Sequence, residues 1–257
     1  MIIDFIKHLF FAKDEHSLHS PFVFELYTQV IKTNGECYYA YQNIERLRKE
    51  LLENSESVFV EDFGAGSKKN KNNKRTIQEI AKNASKNAKI GQMLFRLVNY
   101  FQPKTVIDLG TCLGVTTAYL ASPIPLGTLY TFEGSDNLMQ LAKKHFKMLR
   151  LSNIKTIVGN IDNTLPKTLQ QIDTIDFAFI DANHRYEPTM RYFEQLLTKS
   201  HENTVLVLDD IYWSDEMKKA WKDIREHPKV MISIDLFWVG LIFLRNKQPK
   251  QHFVLKF

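Results

Sequence analysis

A chain of 257 residues with 44% hydrophobic content can bury a sizeable core and fits one α/β domain with an appendage, which argues against a second full catalytic domain. Only Cys37 and Cys112 are present, far apart, so a disulfide framework and a thiolate metal cluster are excluded and a reducing, cytoplasmic compartment is expected. The net charge of +5 leaves an anionic partner open without arguing for one, because lysine-rich surfaces are commonly just solvated.

The start, Met1-Ile2-Ile3-Asp4-Phe5-Ile6-Lys7-His8, is interrupted by charge after three residues and has no small-residue cleavage site. No later segment approaches a membrane span, so a soluble, unprocessed protein without a membrane partner is expected. Residues 1 to about 53 read as helices. Ser20-Pro21 supplies a cap hydroxyl and a first-turn proline, and Phe22, Val23, Leu26, Tyr27, Val30 and Ile31 follow as a helical stripe. His16 and His19 are spaced to share a helical face, but without a nearby carboxylate or cysteine the pair reads as structural. Asn43 to Leu52 is a shorter charged helix. Asp62-Phe63-Gly64-Ala65-Gly66-Ser67 mimics a glycine motif but leads into no apolar helix. The run from Ser67 to Arg75 is polar and basic, which predicts a mobile loop. Helices resume at Thr76 and continue through Phe101.

From Lys104 the pattern alternates. Strands at 105–108, 128–132, 155–158, 176–180 and 205–208 are separated by helical patterns that include 137–149, 187–199 and 214–227, which predicts a parallel sheet. Val230 to Leu236 and Gly240 to Leu244 have too little between them for a crossover and should pair antiparallel, with a further strand over 252–257. The most informative stretch is Val106-Ile107-Asp108-Leu109-Gly110-Thr111-Cys112-Leu113-Gly114-Val115-Thr116-Thr117, followed by Leu129-Tyr130-Thr131-Phe132-Glu133. An apolar strand enters a glycine turn and a helix, and a second strand ends on a carboxylate, the layout of a nucleoside-cofactor site. Glycines 110 and 114 let a ligand approach main-chain N–H groups, and the spacing suits a phosphate-free ligand better than a pyrophosphate. The two oxygens of Glu133 match a ribose cis-diol.

On these residues the chain resembles the class I S-adenosylmethionine-dependent methyltransferases, over about 90–245. Gly114-Val115-Thr116-Thr117, Asp181 and Asp209-Asp210 are most similar to the catechol O-methyltransferase type. The resemblance implies a Rossmann-like, seven-stranded, mostly parallel sheet with one antiparallel edge strand. The expected division is a helical N-terminal extension and cap, 1–89 (with the basic loop 67–75), and a methyltransferase domain, 90–257. It implies S-adenosylmethionine bound through Asp108, Gly110, Thr111, Gly114, Thr116, Glu133, Asn160, Ile161 and Asp181.

Ligands of open parallel sheets lie beyond the carboxyl ends of the strands. Asp181, Asp209 and Asp210 would converge there if strands four and five are neighbours, as the resemblance implies, and three crowded carboxylates invite a hard divalent cation such as Mg²⁺. In the metal-dependent relatives the trio is two aspartates and an asparagine, and Asp210 stands where the asparagine would be. The alternative is that Asp181 orients the cofactor while Asp209-Asp210 cap the next turn. His184 occupies the place of the catechol type's lysine base and is the candidate general base, with Asp181 as its catalytic companion. Tyr212 and Trp213 are candidates for the wall of an aromatic pocket, or for packing.

The resulting expectation is O-methylation of a small hydroxylated acceptor, by a chain compatible with a homodimer. The alternatives are a tRNA or rRNA methyltransferase using the basic run and a non-catalytic cofactor-binding scaffold. A nicotinamide dehydrogenase is disfavoured by the missing third glycine position.

Overall fold

The computed structural model describes residues 2–33, 38–61, 73–84 and 86–257. The chain divides into two compact units, Met1–Asn34 with Thr168–Phe257, and Gly35–Lys167. The first unit begins with α1 (Ile2–Phe11), whose Ile2, Ile3, Phe10 and Phe11 are exposed. One 3-10 turn at Glu15–Ser17 follows, so His16 and His19 share no helical face. Helix α2 (Pro21–Leu26) starts as its sequence dictates, with the Ser20 hydroxyl accepting from the Val23 N–H and Pro21 in the first turn. It runs on as a π-helical turn over Tyr27–Ile31.

The second unit opens with α3 (Tyr39–Glu53), longer at both ends than the charged stretch predicts. Strand β1 (Ser57–Phe59) pairs antiparallel with β2 (Lys74–Thr76), Val58 opposite Arg75. Lys74 and Arg75 were expected in the mobile loop; they are strand because β1 gives their backbone a partner. Residues 67–72 of that loop, and the Asp62–Ser67 glycine motif, lie outside the described residues. Helix α4 (Ile77–Ala84) begins with a capping box: Thr76 Oγ1 accepts from the Glu79 N–H at 3.2 Å, and the Glu79 carboxylate accepts from the Thr76 N–H at 3.0 Å. Helix α5 (Ala88–Phe101) is capped by Asn87 and stops at Gln102, left-handed before Pro103.

Then come β3 (Thr105–Leu109), α6 (Val115–Ala121), β4 (Thr128–Glu133), α7 (Asp136–Met148), β5 (Ile154–Val158) and α8 (Ile161–Gln170). Strands β3, β4 and β5 pair parallel in that order, Val106 beside Leu129 and Leu129 beside Ile154. Tyr41, Ile44 and Leu47 of α3 pack with Phe95 of α5 and with Val115, Ala118 and Tyr119 of α6.

The first unit resumes with β6 (Ile175–Ile180), α9 (Tyr186–Leu197), β7 (Ser200–Asp209), α10 (Asp215–Glu226), β8 (Ile232–Asp235), β9 (Val239–Phe243) and β10 (Gln251–Val254). Strands β6 and β7 are parallel, β9 is antiparallel to both β7 and β8, and β10 lies parallel against β8. With the hairpin β1–β2 set apart, the described strands number eight rather than seven, because 251–254 adds a strand to β8. The reversed strand is also not at the edge, since β8 and β10 both lie outside it. The chain passes over a strand position through α10, and the tight 236–238 turn returns it as β9 into the gap between β7 and β8. These features make the Rossmann-like, mostly parallel arrangement.

A buried polar hub sits beside that turn. Asp235 is fully buried and accepts from Tyr212 Oη (2.7 Å), Trp221 Nε1 (3.2 Å) and the Phe237 N–H (2.9 Å), while His8 Nδ1 of α1 lies 3.3 Å away. Burial pushes its carboxyl up, but these donors outweigh burial and hold it below the ordinary carboxylate range.

Candidate active site

The turn after β3 is shaped by three left-handed residues in five: Gly110 (φ +110), Cys112 (φ +49) and Gly114 (φ +81). For Cys112 that conformation costs on the order of 1 kcal/mol. What holds it is the neighbouring strand: the Cys112 N–H donates to Glu133 Oε2 at 2.8 Å, and the N–H groups of Gly110 and Thr111 donate to the Phe132 carbonyl. Glu133 Oε1 accepts from the Ser135 N–H at 2.9 Å, so both carboxylate oxygens are fixed by main-chain donors at the end of β4.

Asp108 is fully buried, and its Oδ2 accepts from Thr117 Oγ1 at 2.6 Å and Thr131 Oγ1 at 2.8 Å. Thr111 Oγ1 joins the same network through Thr131. Asp108 and Thr111 therefore brace the turn from beneath. Gly114 also has a packing reason, since a Cβ there would stand 2.6 Å from Phe146 Cε1. His145, beside it on α7, bonds the Leu113 carbonyl through Nδ1 at 2.9 Å, and burial lowers its pKa. Thr116 is buried in the first turn of α6. After β5, Gly159 (φ +122) donates to the Glu133 carbonyl, and Asn160 Oδ1 accepts from the Asp162 N–H at 2.9 Å, capping α8 just before Ile161. All eight predicted cofactor residues of this unit thus lie on strand ends, turns and first helical turns.

The first unit carries the other set. Among the described residues, donor atoms of Asp181, His184 and Asp209 lie within 4.8 Å of one another. His184 Nε2 stands 3.4 Å from Asp181 Oδ1, and Asp209 is 1% exposed. Asn183 and His184 are consecutively left-handed (φ +68 and +46), and the His184 N–H returns to the Ala182 carbonyl. Asp210, expected as the third ligand, stands outside this set. The chain leaves β7 there at φ +53, with the Asp210 N–H donated to the Trp238 carbonyl. Tyr212 is packing: its hydroxyl serves Asp235 and its ring stacks on Phe237 at 4.9 Å. Trp213 and Trp238 stay more than two-fifths exposed.

Sequence reasoning missed the residues that brace the site: Ser135, Thr117, Thr131 and His145. The available signal was Asp108 itself, because a carboxylate inside an apolar strand needs hydroxyl donors from neighbouring elements.

The fold is the Rossmann-like fold of the solved methyltransferases that the chain resembles. Residues 107–211 match a family described as a methyltransferase domain. A catechol O-methyltransferase of Niastella koreensis is 29% identical over 124 residues, 47% of this chain and 55% of the relative, so the chain spans about half the length of that protein. Among solved structures, the chain resembles the O-methyltransferase TomG of Streptomyces achromogenes, involved in tomaymycin synthesis and solved with SAM, with TM-score 0.58 and 16% identity. That likeness covers 86% of this chain and 95% of the other. An O-methyltransferase of Bacillus cereus in complex with SAH is similar at TM-score 0.55 and 16% identity, over 85% and 96% of the two chains. Among the described residues no helix is long and apolar enough to cross a membrane.

Proposed function

We propose that the protein is an S-adenosylmethionine-dependent methyltransferase that methylates a hydroxyl of a small acceptor. The observation that carries this reading is Glu133, a carboxylate whose two oxygens are aimed by the Cys112 and Ser135 N–H groups beside a left-handed glycine turn. The donor set fits a nucleoside, and the matched methyltransferase domain supports the same ligand.

S-adenosylmethionine supplies a methyl group already activated on a sulfonium, so the protein must align donor and acceptor and remove a proton from the hydroxyl. Glu133 accepts the ribose hydroxyls, and Asp108 and Thr111 keep the turn in shape. Gly110 and Gly114 allow close main-chain approach. Thr116 holds the methionine carboxylate, while Asn160 and Ile161 border the adenine, with Asp181 as a further cofactor contact. At the acceptor end, His184 and Asp181 are the catalytic pair: Asp181 lies 3.4 Å from Nε2 and orients the ring, and the imidazole takes the hydroxyl proton on its other nitrogen, Nδ1. Two carboxylates and an imidazole also form a donor set that fits a divalent ion, which would supply Lewis-acid acidification of the hydroxyl. In this reading residues 90–257 are the methyltransferase domain and 1–89 shape the acceptor pocket.

Calorimetric titration with S-adenosylhomocysteine tests the cofactor half. Wild type should bind, and Glu133→Ala should lose about 3 kcal/mol for two charge-assisted bonds, roughly a hundredfold. Equal affinity in the variant removes the ribose assignment, and no binding by wild type removes the methyltransferase reading. Incubating hydroxylated aromatic acceptors with the methyl donor and looking for the methylated product by mass then tests the chemistry.

A further inference from the structure

The set formed by Asp181, His184 and Asp209 is not an all-oxygen one. Mg²⁺ favours oxygen donors, whereas imidazole suits first-row transition ions and carboxylates suit Mn²⁺ among them. Had the set been Asp181, Asp209 and Asp210, as the chain order invites, the donors would all be oxygens; the imidazole of His184 changes the class of ion. The spacing agrees. At 3.4 Å, His184 Nε2 and Asp181 Oδ1 are beyond the roughly 2.7–2.9 Å of a charge-assisted hydrogen bond. Two ligand atoms on one ion at about 2.1 Å stand about 3.0 Å apart in octahedral and about 3.4 Å apart in tetrahedral coordination.

Two further features concern the same loop. Asn183 and His184 adopt left-handed backbone in succession, each at on the order of 1 kcal/mol, and it is this turn that places the imidazole near Asp209. Asn183 Oδ1 is buried without a hydrogen-bond partner. A buried acceptor of this kind costs about 1–3 kcal/mol unless a donor reaches it, and the water shell of an ion supplies donors. Two carboxylates brought together, one of them 1% exposed, are likewise relieved by positive charge.

We propose that Asp181, His184 and Asp209 together hold a divalent first-row transition ion of the Mn²⁺, Fe²⁺, Co²⁺ or Zn²⁺ class in preference to Mg²⁺, with His184 Nε2 as a direct ligand. The inference rests on the methyltransferase reading only for what the ion does. When the ion is bound, His184 is a ligand and the base role described above passes out of use.

The test loads the purified chain with Mn²⁺ and reads pulsed electron paramagnetic resonance for a directly bound nitrogen. Wild type should show one such coupling, and His184→Gln should abolish it and weaken Mn²⁺ binding at least tenfold, while S-adenosylhomocysteine affinity, the check on folding, stays within twofold. A hundredfold excess of Mg²⁺ should not displace the Mn²⁺. Mn²⁺ bound without a nitrogen coupling, or equally well by His184→Gln, overturns the ligand role and leaves the base role standing. Failure of Mn²⁺ and Co²⁺ to bind a protein that binds S-adenosylhomocysteine overturns the ion site and leaves the methyltransferase reading intact. A chain that binds Mn²⁺ through nitrogen but no S-adenosylhomocysteine supports the site and sinks the function.

Discussion

Substituting Gly114 by alanine separates packing from ligand chemistry at the glycine turn. An L-residue at φ +81 costs about 1–2 kcal/mol. The new Cβ would stand 2.6 Å from Phe146 Cε1, 2.9 Å from Phe146 Cζ and 3.2 Å from Ala142 Cβ. Phe146 is 4% exposed and cannot swing into solvent, so relieving the overlap costs a further ~1–3 kcal/mol. Alanine recovers about 0.4–1 kcal/mol by restricting the unfolded chain. The expected net loss is about 2–4 kcal/mol, and at roughly 2–4 °C per kcal/mol the thermal midpoint falls by about 4–16 °C. Urea denaturation and thermal melts of Gly114→Ala, of Phe146→Leu and of the double variant measure it. Because leucine withdraws the ring atoms, the double variant should be more stable than the sum of the singles by about 1 kcal/mol. A Gly114→Ala protein within about 0.5 kcal/mol of wild type, or strict additivity with Phe146→Leu, would refute the steric account.

Asp235→Ala should cost about 3–5 kcal/mol in denaturant unfolding, since it strands the Tyr212 hydroxyl, the Trp221 indole N–H and His8 in a buried place. Tyr119→Phe should cost about 1–2 kcal/mol by removing the 2.6 Å bond from its hydroxyl to Glu45 Oε1, which ties α6 to α3; a value near zero would show that bond to be idle. His252 lies between Ser233 Oγ and Arg225, each at 2.8 Å, and is pushed down to about 4, first by desolvation and then by the Arg225 charge. Its folded pKa is below the unfolded value, so its contribution is complete above about pH 6.5 and is lost as pH falls towards 4. The residue is exposed and screened, which limits the effect to about 1 kcal/mol. Stability measured from pH 7 to 4 should fall less steeply in His252→Gln than in wild type, and identical slopes would dismiss the assignment.

The strands and helices after Lys104 were legible because parallel strands are buried on both faces and announce themselves as apolar runs. Ser20-Pro21 was legible because a cap and a first-turn proline act locally. The position of β9 was not, since strand order depends on which gap a crossover leaves open and not on the composition of the strand. Lys74 and Arg75 were misread for a related reason: a polar strand that owes its form to a partner carries no apolar signature. At the site, Asp108, Gly110, Gly114 and Glu133 could be found from spacing alone, while Ser135 and His145 could not, since they act through one N–H and one ring nitrogen on partners that only the fold supplies. That the His184 imidazole comes within 4.8 Å of Asp181 and Asp209 lay beyond reach because it turns on backbone angles at two left-handed positions.

The unit made of Met1–Asn34 and Thr168–Phe257 is discontinuous in the chain. The Tyr27 hydroxyl bonds the Lys256 carbonyl, and Lys13 exchanges backbone bonds with Val254 and Lys256, so the first helices gain these partners only when the last residues exist. At roughly 5–20 residues per second a ribosome needs on the order of ten seconds to make the intervening stretch. During that interval the Tyr27 hydroxyl and the Lys13 backbone lack these partners, whereas all of Gly35–Lys167 has been made. Synthesis therefore supplies the glycine turn and Glu133 before Asp181, His184 and Asp209 are translated.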